Sequence, residues 1–253
     1  MKKVFLSLAI ACAISTTFAQ NQATLDQSGN SQQATIKQAG QNQALVTQNN
    51  GSSGAGSNIL TSSQIGSGNY LQSTQSGTTN SASFTQKLQG SSYAYSTQTG
   101  TSNKITSEQA SYSGSAATAN FTQNGTSNEA TLDQADNVSG QGGTYATFTQ
   151  TGEKNVAYIK QGDATTGDGN TATITQKGNL NTAKLGQTGV LNTADLSQIG
   201  NNNVIKGLSG DIATQIGTSN SLMISQNSNF NTASVGQNGT GNVGKITQGS
   251  VAP

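Results

Sequence analysis

The chain has 253 residues, with 11 basic residues (all lysine) against 10 acids, no histidine, no tryptophan and one cysteine. Without arginine or histidine, the basic footprint of a nucleic-acid binder, a nitrogen- and sulfur-based metal site and a His-based catalytic triad are all excluded. Low charge with abundant Gly, Ser, Thr, Asn and Gln is otherwise the composition of a disordered chain, so the decisive question is whether the few apolar residues keep a fixed phase.

Residues 1–19 read as a secretory signal peptide. Lys2 and Lys3 precede an apolar run from Val4 to Ile14, and Thr17-Phe18-Ala19 forms a small-x-small cleavage site before Gln20. The run is too short to span a bilayer. Cys12 lies inside it, and a lipid-anchor reading is disfavoured because Ala9 stands where such signals carry leucine. After cleavage nine lysines face ten acids and no thiol remains, so residues 20–253 form a near-neutral chain without disulfides.

From Asn21 to Gln248 one seven-residue phrase, Asn-x-small-x-apolar-x-Gln, recurs nineteen times. Its closing glutamines stand at 27, 38, 48, 64, 75, 86, 98, 109, 123, 134, 150, 161, 176, 187, 198, 215, 226, 237 and 248, most often 11 residues apart. A short fixed period is the signature of a solenoid. With Asn at position zero, the small residue, the apolar residue and Gln fall at two, four and six, on one face of an extended strand. The odd positions, rich in Thr, Ser and charge, face outward.

The inward face reads as a core of alternating Ala and a larger apolar residue: Ala23/Leu25, Ala34/Ile36, Ala172/Ile174, Ala183/Leu185, Ala194/Leu196 and Ala233/Val235. In Leu60/Ser62, Leu71/Ser73 and Ile105/Ser107 the large residue comes first. Such volume-conserving swaps are what a packed interior tolerates. Position zero is Asn in fourteen phrases and position six is Gln throughout. Amides both donate and accept, so copies stacked at strand spacing form hydrogen-bonded ladders, whereas single buried amides would be costly. The ladder candidates are Asn21, Asn42, Asn170, Asn181, Asn192, Asn220, Asn231 and Asn242, with Gln27, Gln38, Gln48, Gln176, Gln187, Gln198, Gln226, Gln237 and Gln248. The competing reading makes these amides solvated turn formers.

The short connections read Gln-x-Gly-x-x-Asn, and Gly29, Gly40, Gly66, Gly77, Gly178, Gly189, Gly200 and Gly239 occupy the place that needs positive φ. Where the connection lengthens, Asn50, Leu88, Ser111, Asp136 and Asp163 take that place. Four long connections follow Gln86, Gln109, Gln134 and Gln161, two phrases apart, and would project from one edge of a stack. An insertion at 49–57 and an irregular stretch at 203–214 break this parity, and either Ile205 or Ile212 could carry the core position there. The acids and glycines of 162–170 only faintly suggest a calcium loop; a flexible connector fits better.

Aligned in this way, the phrase resembles the curlin repeat of curli fibre subunits, secreted functional amyloids of bacterial biofilms. Gln27-Ser28-Gly29 with Ala34 and Gln38 carries the resemblance early. Gln176-Lys177-Gly178 with Asn181, Ala183 and Gln187 matches in full, and Gln226 to Gln237 repeats it. The resemblance implies an all-β, two-sheeted β-solenoid of strand-turn-strand layers, about 9–10 of them, forming a rod roughly 45 Å long. It implies a non-enzymatic building block, most like the major subunit, that adds end to end to copies of itself. A nucleator subunit and an outer-membrane secretion channel are the implied partners, and an extracellular fibre on the bacterial surface the implied location. No cofactor, metal or nucleic acid is expected. The chain departs from the pattern in starting its first phrase at Asn21, where curli subunits carry a Gly-rich export segment. Outward charges such as Asp26, Lys37, Glu108, Asp133, Lys160 and Asp195 read as aggregation gatekeepers or as ordinary solubilising groups.

Three alternatives compete. A minor, nucleating subunit shares every feature above. A soluble ice- or ligand-binding solenoid needs a flat threonine array; Thr147/Thr149 and Thr173/Thr175 supply one, but Tyr158/Lys160, Lys184/Gly186 and Asp195/Ser197 break it. A polysaccharide-cleaving β-helix needs converging acids, and the ten acids here are scattered.

Overall fold

The computed structural model describes residues 20–50, 56–88, 90–111, 116–136, 143–162 and 169–249. The signal-peptide reading of 1–19 with Cys12, most of the 49–57 insertion and the acids of the 162–170 loop lie outside them. The strands run in chain order as β1 (Gln22–Ser28), β2 (Gln33–Asn49), β3 (Ile59–Thr78), β4 (Ser81–Lys87), β5 (Ser91–Thr101), β6 (Lys104–Ser111) and β7 (Ala116–Thr126). There follow β8 (Glu129–Asp136), β9 (Thr144–Glu153), β10 (Val156–Gln161), β11 (Thr171–Lys177), β12 (Thr182–Val190) and β13 (Thr193–Ile199). The last are β14 (Val204–Lys206), β15 (Ala213–Thr218), β16 (Ser221–Gln226), β17 (Thr232–Ser234), β18 (Gly236–Thr240) and β19 (Val243–Gln248). No helix occurs among the described residues.

Every strand pairing is parallel, and in the regular part a strand pairs with the second one after it, as expected of a chain winding round a core. The registers keep like over like: Ala157 on Ala183, Ile159 on Leu185, Gln161 on Gln187; Ala146 on Ala172, Phe148 on Ile174, Gln150 on Gln176. Two ladders result. The first stacks Gln27, Gln48, Gln75, Gln98, Gln123, Gln150, Gln176, Gln198, Gln226 and Gln248. The second stacks Gln38, Gln64, Gln86, Gln109, Gln134, Gln161, Gln187, Gln215 and Gln237. The expectation of two separate sheets is not what the hydrogen bonds draw. β2 and β3 run through their turn without a break and belong to both ladders, so the pairing forms one 19-stranded parallel sheet wrapped round a single core. As to layers, eight of the ten glutamines in the first ladder are fully buried, and the outermost two, Gln27 and Gln248, are half-exposed. About eight turns are thus covered on both sides.

The core is a thin double column of Ala against Leu, Ile, Val or Phe, with Phe84, Phe121 and Phe148 at its thickest point. Phe121 and Phe148 are register partners and stack at 4.9 Å with planes 7° apart. Phe84 meets Phe121 edge-on at 6.1 Å across the ladders. Of the expected core residues, Ala172, Ile174, Ala183, Leu185, Ala194, Leu196, Ala233 and Val235 are buried. Leu25, Ala34 and Ile36 are half-buried, and Ala23 is exposed. Assigning Ala23 to a dry core is therefore a correction for the isolated chain: it sits on the first strand, with a neighbour on one side only.

The irregular unit resolves in favour of Ile205. Ile205 lies between Ala183 and Ala233, and Ala213 pairs with Leu185, with both Ile205 and Ala213 fully buried and Ile212 at the surface. The large residue again comes first, and residues 207–212 bulge out in the middle of the strand. On the outer surface, charges on neighbouring levels pair: Lys87 with Glu108 (2.7 Å), Lys104 with Glu129 (2.8 Å) and Lys160 with Asp133 (3.2 Å). All three pairs are exposed, worth at most about 1 kcal/mol each.

Candidate functional site

The glutamines form two unbroken side-chain ladders. Each Nε2 donates to the Oε1 of the glutamine one level on, from Gln27 to Gln48 (2.7 Å) through Gln150 to Gln176 (2.9 Å) to Gln226 and Gln248 (2.8 Å). The second ladder does the same from Gln38 to Gln64 (2.8 Å) through Gln161 to Gln187 (2.8 Å) to Gln215 and Gln237 (2.8 Å). The same Nε2 also donates across the core to a backbone carbonyl of the preceding strand, as from Gln187 to Thr171 and from Gln198 to Thr182, both 3.1 Å. That carbonyl fixes which amide atom faces which way, so the ladder has a direction.

Asparagine runs the opposite sense. The Oδ1 of Asn155 accepts from both the backbone N–H (3.1 Å) and the Nδ2 (3.0 Å) of Asn181 on the next level. Nδ2 of Asn181 donates further to the carbonyl of Gly200 (2.8 Å). Each buried Asn thus ties three levels and clamps a turn. In the second ladder the column runs unbroken through Asn58, Asn80, Asn103, Asn128, Asn155, Asn181, Asn203 and Asn231. Asn203 was hidden from sequence counting by the 207–212 bulge, since six residues before Gln215 stands Ser209. In the first ladder Asn42 and Asn69 are linked, as are Asn170, Asn192, Asn220 and Asn242. Asn21 accepts from the N–H of Asn42 (3.1 Å).

All eight expected turn glycines have positive φ, from 101° at Gly189 to 119° at Gly239. The reason for glycine is closer than φ alone: a Cβ on Gly77 would lie 2.1 Å from the carbonyl oxygen of Gly100, the turn glycine of the next level. The residue before Asn was not legible. Ser102, Ser127, Lys154, Leu180, Leu191 and Phe230 all adopt left-handed backbone, with φ of 54–60°. The N–H of Leu180 donates to Glu153 on the level before (2.9 Å), and that of Phe230 to Asn201 (2.9 Å), which offsets the cost of the conformation.

Among the described residues no group of three or more potential metal ligands occurs. The cleft beside Gln22, Gln43, Tyr70 and Tyr93 has no charged side chain in its lining. Among the described residues Tyr158 is the one titrating group clearly displaced: burial, then the neighbouring Asp133, push its hydroxyl above the usual 10.0. The hydrogen-bonded ladders stop abruptly at the two ends. At the first end β1 and the leading half of β2 lack an outer neighbour; among the described residues no donor reaches Oε1 of Gln27 or Gln38. At the last end β17, β18 and β19 lack one, leaving Nε2 of Gln237 and Gln248 and Oδ1 of Asn231 and Asn242 without a next level.

The family model described as the curlin associated repeat matches residues 145–178. This chain is a curlin-repeat protein. The matched segment covers β9, β10 and β11, about one and a half turns of the curlin-repeat stack, whose register continues in phase on both sides. No curated protein matches the chain.

Proposed function

We infer that this curlin-repeat protein is the structural subunit of an extracellular fibre, growing by end-to-end addition of strands. The observation that supports this best is the pair of unprotected ends. Most proteins blunt an exposed strand edge with charge, proline or a bulge; here the last strands keep the interior pattern, Asn231, Ala233, Val235 and Gln237 on one ladder and Asn242, Gly244, Ile246 and Gln248 on the other. Adding a copy continues backbone pairing, core column and amide ladders at once. In the fibre the two ladders act as two facing sheets, the finer arrangement expected of curli subunits. Export through an outer-membrane channel after loss of residues 1–19, initiation by a nucleator and a role in adhesion and biofilm cohesion complete the proposal. The regular interior suits a bulk building block better than a nucleator.

The test is incubation of residues 20–253, which contain the whole described fold, with and without sonicated seeds, followed by electron microscopy. Unbranched fibres whose growth is accelerated by seeds are expected. A chain that stays monomeric for days even when seeded would overturn the reading.

A further inference from the structure

The parity of the stack fixes how successive copies are oriented. The chain alternates between the two ladders phrase by phrase, and each Gln reaches the backbone of the preceding phrase on the opposite ladder: Gln38 to Gln22 (3.3 Å), Gln48 to Gln33 (3.0 Å), Gln237 to Ser221 (3.0 Å), Gln248 to Thr232 (3.0 Å). The first strand, β1, lies in the ten-glutamine ladder, and so does the last, β19. The described residues therefore make nine and a half turns, and a strand stacked next after β19 belongs to the other ladder, on top of β17 and β18.

We propose that each added copy is turned by half a revolution about the fibre axis, so that its β1 stacks on β17–β18 of the previous copy and the leading half of its β2 stacks on β19. This inference rests on the fibre-subunit reading. With the half-turn, Gln27 of the incoming copy lies over Gln237, Leu25 over Val235 and Ala23 over Ala233; Gln38 lies over Gln248 and Ile36 over Ile246. Nε2 of Gln237 and of Gln248 bind backbone carbonyls within their own chain but lack the next-level Oε1 that each interior rung has. Oε1 of Gln27 and Gln38, which have no donor among the described residues, supply it. Oδ1 of Asn231 meets the N–H and Nδ2 of Asn21. A second chain of the same sequence is thus the occupant whose donors, acceptors and apolar column all match.

Without the half-turn, β1 would sit on β19 and the nine-rung ladder would lack a rung at every junction. The edge of β17–β18, the Gln237 donor and the Asn231 acceptor would then be buried facing a gap, an arrangement folded proteins avoid. A visible consequence follows. The connections after Gln86, Gln109, Gln134 and Gln161 all leave the same ladder and so share one edge of a copy. In the fibre that edge alternates sides from copy to copy.

The experiment places a single thiol on the otherwise thiol-free chain of residues 20–253 by Asp211→Cys, a change at an exposed residue of the 207–212 bulge. Fibres grown from it are labelled with maleimide-linked gold and imaged by electron microscopy. The expected result is labels on alternating sides, with successive labels about 46 Å apart along the axis and same-side labels about 91 Å apart. Labels following one side at about 46 Å, apart from the slow twist of the stack, would overturn the half-turn while leaving fibre formation intact. Failure to form fibres would count against the fibre reading instead. A second chain ending at Gln237 has lost β19 and so winds an even number of strands. Its labels are expected to follow one side at about 43 Å; continued alternation would also overturn the proposal.

Discussion

The two edges of the stack solve the same turning problem in different ways. On the edge crossed after the first ladder, Gly77, Gly100, Gly125, Gly152, Gly178 and Gly200 form a column in which any added Cβ on the first five would lie within about 2 Å of the next carbonyl oxygen. On the opposite edge glycine returns only near the ends, at Gly40, Gly66, Gly189, Gly217 and Gly239, and longer connections fill the middle. The asparagine column follows the turn. Where both its own connection and that of the next level are long, position zero becomes Ser92, Ala117 or Thr144. An Asn there would find no glycine carbonyl to clamp. Gln86, Gln109 and Gln134 bind the backbone carbonyls of Ser92, Ala117 and Thr144 (2.8–3.1 Å), as Gln123 and Gln150 bind those of Asn128 and Asn155 (3.1 and 3.0 Å). A tight turn is thus a cooperative unit of glycine and asparagine, and a long connection gives up both together.

The largest way to break this contrast is a side chain in the glycine column. Gly125→Val puts a Cβ 2.0 Å from the carbonyl oxygen of Gly152 at φ +128°, and a loss of about 3–5 kcal/mol is expected from overpacking and backbone strain. On the loop edge Leu88→Gly relieves φ +81° and should shift stability by no more than about 1 kcal/mol. Urea unfolding of residues 20–253 measures both; equal effects would dissolve the distinction.

Next come the position-zero residues. Asn128→Ala removes the acceptor for the buried N–H and Nδ2 of Asn155 (3.1 and 3.0 Å) and should cost about 2–4 kcal/mol. Thr144→Val removes a buried hydroxyl with no partner and should be neutral or stabilising by up to about 1 kcal/mol. The same unfolding midpoints decide between them.

Interior and end amides differ in a smaller but more telling way. Gln187→Ala and Asn181→Ala interrupt a ladder inside the chain and should lower monomer stability and slow assembly together. Gln248→Ala, at the exposed end, should leave stability within about 0.5 kcal/mol while slowing seeded growth several-fold. Growth unchanged by Gln248→Ala would remove the amide ladder from the junction.

The smallest effect concerns the outer face. Because the Tyr158 hydroxyl is raised mainly by burial and then by Asp133, its neutral form is the one favoured in the folded chain. Its contribution is full below the ordinary tyrosine range and is lost as pH climbs through the raised value. Tyr158→Phe should flatten the decline in stability as the pH rises above about 10, measured by urea unfolding at each pH; an unchanged slope would mean the decline arises elsewhere.

Much of this was legible in the phrase itself. Parity placed Ala172, Ile174 and Gln176 on one inward face, and only a strand stack gives that face a purpose. What stayed hidden has physical causes. The left-handed residue before Asn points outward, so Ser102, Lys154, Leu180 and Phe230 share a backbone state without sharing chemistry. Asn203 was masked because its strand bulges between the two core positions. The single sheet was not foreseeable, since whether a turn keeps its pairing, as in β2 and β3, depends on the level stacked against it.

The central claim is that the two ends are the working surface. Hydrogen exchange of backbone amides, compared between monomer and fibre, tests it most directly. The account predicts new protection concentrated in residues 22–38 and 232–248, with the interior strands already protected before assembly. New protection spread over the outward faces or the long connections, with the end strands unchanged, would contradict it.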